Sequence, residues 1–164
     1  MPAATDIRVK VADYAVRRGP HVIATIGLGS CVAIALYDRD SQVGALAHIL
    51  LPSQAMSRET ENPAKFPATV VPIMLDEMRA LGSRPSARIS AKIVGGASMF
   101  GQLANGSGIN VGERNLAATR EVLAGAGIPI IAEDTGLDYG RSVYFHLVDG
   151  RLEVRSLKKG DRVI

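Results

Sequence analysis

The sequence predicts a protein of the α/β class whose sheet is mainly antiparallel or mixed. Most apolar extended segments follow one another through short turns typical of β-hairpins, and only two stretches show helical periodicity. A doubly wound parallel fold would instead alternate strands with helices along the chain. The 164 residues are typical of one domain, which we expect to span residues 1–164 around a single core.

Four strands are predicted in the first third of the chain. Apolar residues alternate with polar ones from Ile7 onward, and a second extended segment follows a turn at residues 17–20. Two longer apolar runs then flank a polar connection at Asp38–Ser41, which predicts a β-hairpin. The predicted strands are Ile7–Val11, His21–Thr25, Cys31–Tyr37 and Val43–Leu51.

Two amphipathic helices separate the remaining strands. From Pro67 to Leu81 the apolar residues recur at helical spacing, and Gly82 is placed to end this helix. Asn110 followed by Glu113 is a capping box for a second helix that reaches about residue 124. The other predicted strands are Arg88–Val94, Ile128–Ala132, Ser142–Leu147 and Arg151–Leu157, the last two joined by an Asp-Gly hairpin turn.

Composition excludes disorder and membrane spans. Apolar residues are 47% and charged residues 21% of the chain, near the average of folded proteins. No apolar run approaches the roughly 20 residues that cross a bilayer. The first twelve residues lack the apolar core of a secretory signal. We therefore expect a cytoplasmic protein.

Charge and ligand-type residues limit the classes of partner. Lys and Arg number 19 against 16 acidic residues, and the last fourteen residues supply five basic and two acidic side chains, so the excess is confined to the tail. Aromatic residues are 4% and Trp is absent, so we expect no nucleic-acid partner. One cysteine and three histidines without metal-ligand spacing predict metal-free chemistry with no cofactor.

The first hairpin brings the only cysteine near a histidine. If Asp38–Ser41 is the connection, Tyr37 pairs with Gln42 and Cys31 lies opposite His48. Directly opposed residues have Cβ atoms about 4.5 to 5.5 Å apart, within reach of a thiol–imidazole hydrogen bond. This pairing is typical of a cysteine nucleophile with its base. The alternative is a small buried cysteine and a satisfied core histidine, and the sequence leaves both open.

The glycine-rich segment before Cys31 supports the first interpretation. Gly27 and Gly29 permit a tight bend, and backbone amides at Gly29 and Ser30 are candidates to face a developing oxyanion. A phosphate-binding loop is not favoured, because no lysine follows and the next element is a strand. Gly95–Gly96 and Asn105–Gly108 are interpreted as turns.

Six segments distributed along the chain resemble the CheD family of chemoreceptor glutamine deamidases. They occur in the family's order, and their joint occurrence is specific. The segments are Thr25–Val32, Ala47–Pro52, Lys92–Phe100, Asn110–Asn115, Gly127–Asp134 and Tyr139–Arg141.

The resemblance implies an α/β sandwich with a Cys-His-Thr triad. The matching residues are Cys31 as nucleophile, His48 as general base and acid, and Thr25 as the residue that orients the imidazole. It also implies glutamine deamidation on methyl-accepting chemotaxis receptors, a methylesterase side activity, and a CheC-type phosphatase as regulatory partner. Two alternatives stay open. One is a Cys-His amidase acting on a small molecule, and the other is a non-enzymatic regulatory partner in chemotaxis.

Overall fold

A computed structural model describes residues 5–85, 88–98 and 110–164. In these residues the chain forms strands, two α-helices and two short 3-10 turns. The strands are β1 Thr5–Val9, β2 Asp13–Arg18, β3 Val22–Leu28, β4 Val32–Asp38, β5 Val43–Ile49, β6 Ser90–Gly95, β7 Ile130–Thr135, β8 Arg141–His146, β9 Leu152–Arg155 and β10 Arg162–Val163. The helices are α1 Pro67–Ala80 and α2 Val111–Gly125, and the 3-10 turns are Gln54–Met56 and Pro63–Lys65.

The strands form two five-stranded sheets. Sheet A has the order β1-β3-β8-β9-β10, and sheet B has the order β2-β5-β4-β6-β7. Only the pairs β1–β3 and β6–β7 are parallel among the described strands. The prediction of an α/β fold with mainly antiparallel, mixed sheets is confirmed.

Sheet B separates two buried layers. One face of β4 and β5 packs against α1 and α2 in an apolar layer that includes Ile34, Leu36 and Met74. The opposite face packs against sheet A, where Ala33 and Leu46 meet residues of β3, β8 and β9. Because side chains alternate along a strand, neighbouring residues of β4 or β5 enter different layers. We call these the helix layer and the inter-sheet layer.

The β4–β5 hairpin is confirmed, but its predicted register is wrong by two residues. Asp38 stays in the ladder and pairs with Val43, so Ala33, not Cys31, lies opposite His48. The buried Asp38 carboxylate accepts hydrogen bonds from the Ser41 hydroxyl at 2.6 Å and the Ser83 hydroxyl at 2.7 Å. These bonds hold Asp38 in the strand and move the connection to residues 39–42. A two-residue shift preserves the face of every side chain.

Two more differences concern short edge strands. β2 was not predicted, because Asp13, Arg17 and Arg18 interrupt any apolar alternation there; it pairs with β5 at the edge of sheet B. No strand was predicted after Arg151–Leu157, whereas β10 pairs with β9.

Both predicted helices are present. The side chain of Asn110 caps α2 by accepting a hydrogen bond from the Glu113 amide at 3.0 Å. Gly82, at φ +115°, follows the end of α1. The predicted turn at residues 105–108 lies outside the described residues. No helix in the described part of the chain is long and apolar enough to cross a membrane.

Candidate active site

Cys31, just before β4, and His48, in the neighbouring strand β5, face the inter-sheet layer. Cys31 lies in the bend that precedes β4, two residues before the Ala33 that pairs with His48. It is therefore the diagonal neighbour of His48 on the same face, and such neighbours lie about 7–8 Å apart between backbones. No hydrogen bond joins Cys31 to Nε2 of His48 in the described residues. The structure thus places the two residues on one face as diagonal neighbours, and not as the directly opposed pair that the sequence predicted.

Thr25 contacts His48 from the opposite sheet. The Thr25 hydroxyl oxygen lies 2.7 Å from Nδ1 of His48, and both residues are fully buried. The same hydroxyl donates its one proton to the carbonyl oxygen of Val9 at 2.6 Å. Val9 is the partner of Thr25 in the β1–β3 ladder, so the sheet itself fixes this acceptor.

These two contacts determine the tautomer of His48. A hydroxyl has a single proton, and the Val9 carbonyl takes it. The Thr25 oxygen is left to accept a hydrogen bond, so Nδ1 of His48 must carry the ring proton. Nε2 then has a free lone pair, and it has no hydrogen-bond partner among the described residues.

Burial makes the His48 imidazole neutral. Loss of hydration lowers the pKa of His48 to about 4, because burial disfavours the charged ring. At neutral pH the ring is therefore unprotonated at Nε2. A neutral imidazole with a defined tautomer and a free nitrogen is suited to accept a proton.

Cys31 is the most exposed of the three side chains, at 9% against 0% for Thr25 and His48. Burial raises the pKa of the Cys31 thiol, and the residue's own backbone N–H partly offsets that rise. With a raised thiol pKa and a lowered imidazole pKa, the pair rests as neutral thiol and neutral imidazole. The resting pair therefore holds no preformed thiolate.

The bend before Cys31 is held by three consecutive carbonyl groups. The Gly29 carbonyl accepts from the Ala97 amide at 2.9 Å, the Ser30 carbonyl from Nδ2 of Asn115 at 2.9 Å, and the Cys31 carbonyl from the Gly96 amide at 2.8 Å. In a trans peptide the N–H that follows a carbonyl points the opposite way. The amides of Ser30 and Cys31 therefore point away from these partners, and neither donates to a backbone carbonyl within the described residues. They are free to face an oxyanion.

Sequence reasoning missed the supports of this bend. Gly95–Gly96 was interpreted as turn chemistry, yet a side chain at Gly95 would collide with the Cys31 carbonyl oxygen. The φ of +111° at Gly95 also favours glycine. Asn115 gave no signal beyond its place in a family-like segment, because its partners lie 85 and 65 residues away in the chain.

Within residues 5–85, 88–98 and 110–164, no group of three or more His, Cys, Asp or Glu side chains is arranged to hold a metal ion. A cavity of about 450 Å³ lies toward the other end of β4, where Tyr37, Lys92 and Gly150 line it. Its Lys92 amino group already donates to the Gly150 carbonyl at 2.9 Å.

The fold and this site define a class: a two-sheet α/β protein with a thiol at the rim of a buried Thr-His pair. Residues 50–156 match the model of the CheD family, described as CheD chemotactic sensory transduction. The chain belongs to the CheD family.

Relatives match nearly the whole chain. A protein of Caldanaerobacter subterraneus subsp. tengcongensis named probable chemoreceptor glutamine deamidase CheD is 45% identical over 96% of this chain and 97% of its own length. A Geobacter metallireducens relative named probable chemoreceptor glutamine deamidase CheD 2 is 44% identical over 93% and 94%. The Thermotoga maritima protein named chemoreceptor glutamine deamidase CheD is 39% identical over 94% of both chains.

Proposed function

We propose that this chain is a cytoplasmic protein-glutamine deamidase that converts glutamines of methyl-accepting chemotaxis receptors to glutamate. The names of its relatives support the substrate and the reaction. The observation that carries the chemistry is the contact of Thr25 with Nδ1 of His48, which leaves Nε2 free on the face that Cys31 shares. Cys31 is the nucleophile, His48 the general base and acid, and Thr25 the residue that orients the ring.

The reaction begins with attack of the Cys31 sulfur on the glutamine side-chain carbonyl. As the C–S bond forms, the thiol proton moves to Nε2 of His48, and the amides of Ser30 and Cys31 stabilise the oxyanion. The C–N bond then breaks, and the proton on Nε2 passes to the leaving ammonia. A thioester remains on Cys31.

Hydrolysis completes the cycle. His48 takes a proton from water as the oxygen attacks the thioester, and the C–S bond breaks. The sulfur recovers its proton from Nε2, and the product is glutamate. The same attack on a glutamate methyl ester releases methanol in place of ammonia, so we include a methylesterase side activity in the proposal.

New carboxylates on the receptor are the proposed output. Each adds a negative charge to the receptor surface, and like charges on neighbouring helices shift a signalling equilibrium. We include a CheC-type phosphatase as a regulatory partner that binds this chain. Binding of that partner is expected to survive Cys31→Ala, because the substitution removes a sulfur atom and leaves the fold intact.

The test is mass spectrometry of a purified receptor cytoplasmic fragment after incubation with the protein. Wild type is expected to convert defined glutamines to glutamate, and Cys31→Ala is expected to leave them unchanged. Free glutamine, with ammonia release as the readout, serves as the small-molecule control. Conversion that persists in Cys31→Ala, or hydrolysis of free glutamine alone, would overturn the proposal.

A further inference from the structure

Asn115 of α2 contacts both halves of the candidate site. Its Nδ2 donates to the Ser30 carbonyl at 2.9 Å and to the Leu50 carbonyl at 3.1 Å. We propose that Asn115 is a positioning residue, which fixes the distance between the Cys31 bend and the strand that carries His48. The inference rests on the proposed function, because it concerns the geometry of the same site.

These two hydrogen bonds lie just beyond the end of the β4–β5 ladder. The β4–β5 ladder ends at the pair of Val32 with Ile49. Ser30 and Leu50 lie beyond that pair, in the two segments that carry Cys31 and His48. The Asn115 amide donates to both carbonyl groups and so joins the two segments where the backbone hydrogen bonds between the strands have ended. Beyond the ladder, no backbone hydrogen bond within the described residues joins the Ser30 segment directly to the Leu50 segment.

The orientation of the Asn115 side chain follows from its neighbours. Both contacts are carbonyl oxygens, so the NH₂ end of the amide must face them. The other end, Oδ1, is buried and has no partner among the described residues. An unpaired buried acceptor is unfavourable. The two hydrogen bonds from Nδ2 offset part of that cost, and an apolar residue at this position could not form them.

The helix that carries Asn115 is held against the bend. A side chain at Gly112 would collide with the carbonyl oxygens of Gly96 and Ala97, so α2 lies against the end of β6. Gly96 and Ala97 in turn donate to the carbonyls of Cys31 and Gly29. The first turns of α2 and the end of β6 thus pack together and hold the bend. A shift of either element is expected to displace Cys31.

Thr119 provides a matched control. It lies one helical turn after Asn115, so the two residues share a face of α2. Both are fully buried. The Thr119 hydroxyl has no hydrogen-bond partner in the described part of the chain. Thr119→Val therefore changes a buried polar residue of the same helix without removing a hydrogen bond to the bend.

The first experiment compares Asn115→Ala with Thr119→Val in deamidation kinetics on the receptor fragment. A displacement of about 1 Å at a reacting group costs on the order of 10²-fold in rate. We expect Asn115→Ala to lower kcat by about 10- to 100-fold with KM within about twofold of wild type. Thr119→Val is expected to keep wild-type kcat. Equal kcat in the two variants, measured on protein shown to be folded by circular dichroism, would overturn the inference.

A second variant, Asn115→Asp, gives a signature that a packing role lacks. A protonated carboxyl can donate one hydrogen bond to a carbonyl, whereas a carboxylate can donate none. Burial beside two carbonyl oxygens raises the pKa of an Asp at this position. We expect kcat of Asn115→Asp, divided by that of wild type at each pH, to rise as the pH is lowered. A ratio independent of pH would contradict the proposed role of the donor.

A readout independent of turnover separates this inference from the proposed function. Cys31 is the only cysteine, so its alkylation by iodoacetamide reports on the bend alone. We expect faster alkylation in folded Asn115→Ala than in wild type, because a released bend exposes the thiol beyond 9%, and no change in Thr119→Val. Absence of deamidation by wild type would refute the proposed function, whereas unchanged alkylation in Asn115→Ala would refute this inference.

Discussion

The two buried layers on either side of sheet B differ in content. The helix layer is an apolar cluster to which α1 contributes Met74 and Met78. The inter-sheet layer is apolar along most of its length but contains Thr25 and His48, with Cys31 at its rim. Strand alternation assigns Ala47 to one layer and its neighbour His48 to the other. The proposed site therefore predicts that substitutions in the two layers change stability and activity separately.

The largest expected contrast is between Cys31→Ala and Met74→Ala. Cys31→Ala is expected to lower deamidation on the order of 10³-fold or more, with a change of about 1 kcal/mol or less in the free energy of unfolding. Met74→Ala empties space in the helix layer and is expected to cost about 2 to 5 kcal/mol of stability, with normal turnover per folded molecule.

Urea unfolding and turnover measured on the same preparations test this contrast. If Cys31→Ala destabilised the protein as much as Met74→Ala while deamidation continued, the cysteine would be a core residue. The division between the two layers would then fail.

Thr25 offers a sharper test within the inter-sheet layer. Thr25→Val keeps the shape of the side chain but removes the hydroxyl, so His48 loses the acceptor that fixes its tautomer. We expect kcat to fall about 10- to 100-fold, within the range that general acid–base catalysis contributes. Thr25→Ser retains the hydroxyl and is expected to recover most of the activity. Equal activity of the Val and Ser variants would show that the hydroxyl does not orient the ring.

The buried His48 also predicts a pH dependence of the free energy of unfolding. The folded pKa of His48 is lowered from 6.5 to about 4, so the unfolded chain binds a proton more readily. The resulting stability is fully present above pH 6.5 and is lost as pH falls from 6.5 toward 4. A shift of this size corresponds to about 3 kcal/mol.

Urea unfolding of wild type and His48→Gln across this pH range measures the effect. Burial also lowers the pKa of His146, so His146 changes the free energy of unfolding with pH in the same direction. Because both proteins contain His146, the difference between their two curves removes this contribution. Carboxylates such as Glu133, whose pKa is lowered from 4.5 to about 2, contribute at lower pH. Parallel curves for the two proteins would contradict a buried neutral His48.

Local patterns were sufficient to predict most elements but not their long-range contacts. Apolar runs and a capping box predicted β4, β5 and α2, and the face shared by Cys31 and His48 survived a register error because the error was even. The exact pairing depends on Asp38, whose partner Ser83 is 45 residues away. The edge strand β2 was missed because charge interrupts its pattern.

The candidate site shows the same division. That Cys31 and His48 share one face was predictable from one hairpin, although their direct pairing was wrong, and the candidate role of Thr25 followed from the family resemblance. The Val9 carbonyl that takes the Thr25 proton belongs to a parallel strand pair, and parallel pairings leave no turn signal in the sequence. Asn115 reaches the bend from a helix, so only the assembled fold reveals it.

The most direct test of the account is the tautomer of His48, measured by nitrogen NMR of the imidazole in the folded protein at neutral pH. His48→Gln identifies its signals among those of the three histidines. The account predicts a neutral ring protonated at Nδ1, with an unprotonated Nε2, and loss of this single tautomer in Thr25→Val. A ring protonated at Nε2, or charged at neutral pH, would contradict the claim that Thr25 holds His48 ready to take the Cys31 proton.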